Sequence, residues 1–210
     1  MSLLNASIEN SLALSEWLSQ QLHEHANESL GQRSMMTVAL ASLALEHREA
    51  CLLLVYRGAR PTAMAVARLV LESYVRALWV WHLASDQQLV DFMRDRFDPK
   101  IESTLQKLRR AAEPHGQLFE ILRRHYCVLH DYVHGGPRQV SRWIRPGEIT
   151  PRYSDEQMAE VLSLVDMLGL MAAASRERVQ GWDAESLEGR VRMLIQSQAD
   201  RKRQARGREA

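Results

Sequence analysis

Residues 62–84, TAMAVARLVLESYVRALWVWHLA, decide the fold. Met64, Val66, Leu69, Val70, Leu71, Tyr74, Val75, Leu78, Trp79, Val80 and Trp81 leave this stretch almost no polar face. A helix apolar nearly all round must be covered on every side, which predicts a position at the centre of a bundle. Pro61 opens the helix at a point where a missing N–H costs nothing. Gly58 stops the segment before it. That segment, 31–57, carries Met35, Val38, Leu43, Leu45, Leu52 and Val55 at roughly helical spacing. The two are predicted to form a long antiparallel central helix pair joined at Gly58–Pro61.

Working outward, residues 4–23 repeat Leu4, Ile8, Leu12, Leu14 and Leu18 with a helical period. Residues 86–97 read as a short helix, and Asp98-Pro99 as the N-terminal cap of another that ends near Glu113. A further helix runs from about Gln117 to His134 and stops at Gly135-Gly136-Pro137. Residues 138–154 hold Pro146, Gly147 and Pro151 and are predicted as loop. Ser154-Asp155-Glu156 caps a long helix to about Gln180, and Gly181 separates it from a final one. No alternating strand pattern and no solenoid repeat is present. The fold class expected is all-α, a helical bundle over residues 1–198. A basic tail, 199–210, carries Arg201, Lys202, Arg203, Arg206 and Arg208 and is expected to be solvated.

A net charge of +1 gives no global reason to expect nucleic acid or membrane. Two cysteines, Cys51 and Cys127, support neither a disulfide framework nor a zinc site. The N-terminal MSLLNASIENSLALSEW has no basic region followed by a long apolar run, so it does not read as a signal peptide. The apolar stretches are broken by Arg, Glu or His well short of about 18 residues, so no membrane span is expected. The expected compartment is the cytoplasm. No phosphate-binding Gly loop and no nucleophile elbow occurs.

Two groups of residues carry chemistry. Arg68, Glu72 and Arg76 lie at i, i+4 and i+8 along one line of the central helix. They read either as a structural ion triad, whose surface pairs are each worth only about 0.2–0.5 kcal/mol, or as a polar pocket with a purpose. Their setting favours the pocket, because charges on a central helix must be paired or hydrated. The second group is RHYCVLHDYVHGG, residues 124–136. His130 and His134 share a helix face that ends at Gly135-Gly136, and histidine suits acid–base work near neutral pH. The same two histidines with Glu72 have metal-ligand character. The Glu-x-x-His pairs of di-iron bundles are missing, so no metal or other cofactor is expected. Trp79 and Trp81 read as core rather than a base-stacking platform, and His47, beside Glu46, Arg48 and Glu49, reads as part of a solvated face in preference to a border of the same pocket across the helical hairpin.

The stretch HREACLLLVYRGARPTAMAVARLVLESYVRALWVWHLASD, followed by LHDYVHGGPRQVSR, resembles poorly characterised bacterial proteins within or near the HEPN superfamily. The resemblance covers about residues 40–175. It implies a helical bundle, commonly a homodimer, and in many members a metal-independent ribonuclease of toxin–antitoxin or antiphage systems. The implied partners are RNA and an antitoxin or defence-system protein. The superfamily signature is an Arg, often followed by a polar residue, with a His three to five positions further on. Arg124-His125-x4-His130 fits it; Arg76…His82 and Arg110…His115 also satisfy the spacing. The resemblance implies that Arg124 holds the scissile phosphate through its planar fork, while His130 assists attack by the ribose 2′-OH. His134 is taken as a third catalytic candidate, and Arg68, Glu72, Arg76, His125 and Asp131 as substrate-binding candidates. His134 and the charged triad lie outside the signature. They leave open a non-catalytic binding or regulatory module with an anion- or nucleotide-binding pocket.

Overall fold

The computed structural model describes residues 2–22, 30–111 and 116–193. The basic tail expected over 199–210, and His115 of the Arg110…His115 pair, lie outside them. The fold is an all-α helical bundle. Its helices are α1 (Leu3–Gln21), α2 (Gln32–Tyr56), α3 (Arg60–His82), α4 (Asp86–Met93), α5 (Ile101–Ala111), α6 (Gln117–Val133), α7 (Pro137–Ser141) and α8 (Asp155–Val179). A two-residue hairpin, β1 (Ile144–Arg145) and β2 (Glu148–Ile149), joins α7 to α8. A further helical run covers 185–193.

Helix α3 is central. Val70, Leu71, Val75 and Val80 are fully buried, and α2, α5, α6 and α8 pack on it. The turn from α2 works because Gly58 takes φ 76°, a left-handed conformation that ends a helix. Pro61 sits in the first turn of α3. Trp79 is core at 4% exposure, but Trp81 corrects the sequence reading: at 39% it faces outward. Apolar α8 is long enough to cross a membrane, yet 78% of its most apolar window is buried inside the bundle, as in a core helix.

One buried ion pair ties three helices together. Arg48 of α2 is fully buried, so it is no part of a solvated face. Its Nε and Nη2 donate to Asp166 Oδ1 of α8 at 2.9 and 2.6 Å, and Nη2 also donates to the Ser11 carbonyl of α1 at 2.7 Å. Ser11 Oγ donates to the other Asp166 oxygen at 2.5 Å. The Arg48 stem crosses α8 at Gly169, where an added Cβ would lie 3.2 Å from Arg48 Cγ. Burying a guanidinium is tolerable only with such full satisfaction of its donors.

The structure departs from the sequence reading in two places that bear on the site. The helix expected over 86–97 ends at Met93, and Asp95 takes φ 55°. Asp98 does not cap α5, which starts at Ile101; its carboxylate turns to Arg76 instead. The segment expected as loop holds α7 and the hairpin, because strands of two residues are too short to show a period.

Candidate functional site

Arg68 joins the two groups that lie about sixty residues apart in sequence. It is 5% exposed, and each nitrogen of its guanidinium has a separate partner. Nε donates to Glu72 Oε1 at 2.5 Å, Nη1 to His130 Nδ1 at 2.5 Å and Nη2 to the Tyr126 hydroxyl at 2.8 Å. The guanidinium also lies over the Tyr126 ring, 4.3 Å from its centre. Arg76 donates to the other Glu72 oxygen at 3.1 Å and reaches Asp98 at 3.2 Å. The result is a continuous polar chain, Asp98–Arg76–Glu72–Arg68–His130, running across α3 to α6.

This chain fixes the chemical state of His130. Guanidinium has donors and no acceptor, so Nδ1 must be the accepting nitrogen and the ring proton sits on Nε2. His130 is exposed, so a buried arginine orients an imidazole that faces solvent. The His134 ring lies 4.7 Å away at a 53° tilt and has no hydrogen-bond partner among the described residues. Both rings stand at the C-terminal end of α6. His134 also borders a groove of about 480 Å³ with Arg68, Glu72, Arg76 and Tyr126. The groove's cations (Arg68, Arg76, Lys100) are matched in number by carboxylates (Glu72, Asp98, Glu102). Burial pushes the Tyr126 phenol up from its ordinary range, against the pull of Arg68, so it remains a neutral hydroxyl.

The turn after α6 depends on both glycines. Gly135 has φ 64°, the left-handed region that terminates a helix. Gly136 donates to the Asp131 carbonyl at 2.7 Å, and a Cβ there would lie 2.9 Å from Asp131 Cα. The Gly pair therefore admits the chain's own backbone.

Three candidates stand apart from the cluster. Arg124 lies about 120° around α6 from His130, is 74% exposed at its side chain, and pairs with Glu120 at 3.4 Å. Hydrogen bonds from Arg123, with Arg124 adding to them, hold the Glu120 carboxyl down at about 2. His125 Nδ1–H donates to the Ile121 carbonyl at 2.9 Å, and Asp131 pairs with Arg138 at 3.4 Å. Both Glu72 oxygens and His130 Nδ1 are engaged by guanidinium donors, and no three ligand-type side chains group for a metal among the described residues.

Sequence reasoning missed Tyr126 and Asp98 as members of the cluster. Tyr126 sits one turn before His130, a spacing that could have flagged it. Asp98 was masked by its resemblance to a helix cap.

Residues 41–200 match one protein family, described as a family of unknown function (DUF6988). No curated protein and no solved structure matches the chain.

Proposed function

The chain belongs to this family of unknown function, and from its resemblance to HEPN proteins, with the paired histidines of α6 as the site, we propose a HEPN-like, metal-independent ribonuclease of the cytoplasm, centred on His130 and His134. The observation that carries the reading is the buried Arg68, backed by Glu72, which locks the tautomer of an exposed histidine. A structural ion triad has no need of a solvent-facing imidazole at its end. Sites that do proton chemistry hold their first-contact groups with a satisfied outer layer of this kind.

The two imidazoles take different roles. His134, with no hydrogen-bond partner among the described residues, accepts the 2′-OH proton as O2′ attacks phosphorus. It then returns that proton to the departing O5′, leaving a 2′,3′-cyclic phosphate and a 5′-hydroxyl. His130 keeps its Nε2 proton and donates a hydrogen bond to a phosphoryl oxygen as charge builds there. Arg124 lies about 120° around α6 from His130 and between two and three turns before His134, so it serves this site only from a second copy of the chain. Ile121 and Val128, each 43% exposed, flank Arg124 on the outer face of α6 and supply an apolar contact for that copy.

The test is cleavage of RNA by purified protein in the presence of EDTA. His134→Ala is expected to lose about 10²–10⁴-fold in rate, the usual worth of a general acid–base. No cleavage, together with harmless expression, would remove the ribonuclease reading. The separation of Arg124 from His130 around α6 favours a second reading, a non-catalytic module in which the same face captures an anionic or nucleotide ligand. Nucleotide-dependent thermal stabilisation without cleavage, lost in His134→Ala, would support that one.

A further inference from the structure

A second cavity, of about 630 Å³, lies where α7, the hairpin and the start of α8 meet, and it shares no lining residue with the groove beside His134. Arg142, Arg145 and Arg152 all line it, and no carboxylate does. Arg142 donates only to neutral acceptors: the Tyr132 hydroxyl at 3.0 Å, the Arg152 carbonyl at 3.2 Å and Gln157 Oε1 at 2.8 Å. Arg152 donates to the Ile144 carbonyl at 2.7 Å, and its Nε is buried without a partner. Arg145 makes no side-chain hydrogen bond or ion pair among the described residues. The carboxylate across the hairpin from it, Glu148, accepts from Thr150 at 2.9 Å instead. Neighbouring arginines differ: Arg60 has Asp155 and Arg138 has Asp131. Tyr153 also lines the cavity. It is 6% exposed, its ring lies under the Arg142 guanidinium at 5.1 Å, and its hydroxyl is buried with no partner.

We propose that this cavity is a ligand site for a phosphate group carried on a small organic molecule. Three cations facing one space repel each other unless an anion joins them. A carboxylate would offset one charge, whereas a phosphate dianion offsets two and offers acceptors to several guanidinium forks at once. The volume exceeds a bare ion, and the space is open to solvent, so the organic part of the ligand stays partly exposed. Pro151 and the Tyr153 ring give the organic part apolar surface.

The experiment titrates inorganic phosphate, glycerol 3-phosphate and glycerol against the full chain by calorimetry and thermal shift, with chloride matching the ionic strength. Both phosphates are expected to bind and raise Tm beyond the chloride control, glycerol 3-phosphate the more tightly, and glycerol to do nothing. Arg145→Gln removes an unpaired, exposed charge and relieves the repulsion among the three cations, so its ligand-free Tm should be no lower than wild type while affinity falls about tenfold or more. Arg145→Lys keeps the charge without the planar fork, so it should bind both phosphates more weakly than wild type and more tightly than Arg145→Gln. His134→Ala should bind both phosphates as wild type does, which separates this site from the proposed ribonuclease centre. No phosphate-specific shift overturns the proposal. So does wild-type affinity in Arg145→Gln, or binding of an RNA oligomer without binding of either phosphate.

Discussion

At Arg68 one side chain settles the state of its neighbours, and the chemistry is specific to guanidinium. Its planar fork reaches Glu72, His130 and Tyr126 in three directions at once, and an ammonium on a flexible stem cannot replace it. Arg68→Lys is therefore expected to free Nδ1 of His130. Nitrogen-detected NMR should find His130 as the single Nε2–H tautomer in wild type and as a mixture of tautomers in the variant. A single tautomer in both would show that Arg68 does not control the ring. The Arg48–Asp166 pair poses a stability question instead. Asp166→Ala leaves the fully buried Arg48 with Glu49, itself half exposed, as its remaining carboxylate. Breaking a buried pair from one side costs about 3–5 kcal/mol, whereas replacing both partners with apolar residues of similar volume is often close to neutral. Urea unfolding of Asp166→Ala and of the double variant Arg48→Met/Asp166→Leu should show that order, the double variant being the more stable.

Among the elements, α3 and its turn from α2 are legible because their signals are local: an unbroken apolar surface, a stopping Gly58 and an opening Pro61. The hairpin and the end of α4 are not, since strands of two residues are too short to show a period and α4 is closed by backbone bonds at Arg94, Asp95 and Arg96 with no Gly or Pro to mark the stop. Arg48 misled for a different reason. Its neighbours Glu46, His47 and Glu49 suggest a solvated face, and only the packing of α8 turns it inward. Gly169 marks where that packing happens, which makes it a test of element-level fit. Ala in place of Gly in a helix interior normally gains about 1 kcal/mol. Here the added methyl meets an Arg48 stem held at its far end by Asp166 and cannot push it aside. Overpacking of this kind costs about 1–3 kcal/mol, so Gly169→Ala should lower stability in denaturant unfolding; a gain would mean that the stem yields. Gly136→Ala should shift the α6–α7 turn that carries His134, because the group it meets is Asp131 backbone. Its cleavage rate should fall more than its stability does.

For the whole molecule, what the sequence could not convey is which of its charged residues meet. The Arg68 line and the His130 segment were both readable as sites, one from three charges on a central helix and the other from histidines beside a Gly pair. Their union through a single hydrogen bond depends on α6 lying across α3. The turn of α6 itself separates Arg124 from His130, the histidine that the ribonuclease signature pairs with it, by about 120° around the helix. Only assembly can bring them together: in a homodimer, Arg124 of one chain would complete the His130–His134 pair of the other. This can be tested by complementation. Arg124→Ala and His134→Ala should each be inactive alone in the RNA assay. Unfolded together and refolded as an equal mixture, half of the dimers are mixed. Each mixed dimer holds one complete site, with Arg124 from the His134→Ala chain and His134 from the Arg124→Ala chain. The mixture should recover about a quarter of wild-type activity. Light scattering should report twice the chain mass of 24.1 kDa for wild type, and Val128→Asp on the contact face should yield monomer and no cleavage. A mixture as inactive as its parts would mean that Arg124 does not act across the dimer, and an Arg124→Ala protein that cuts RNA at the wild-type rate would leave catalysis to the two histidines alone.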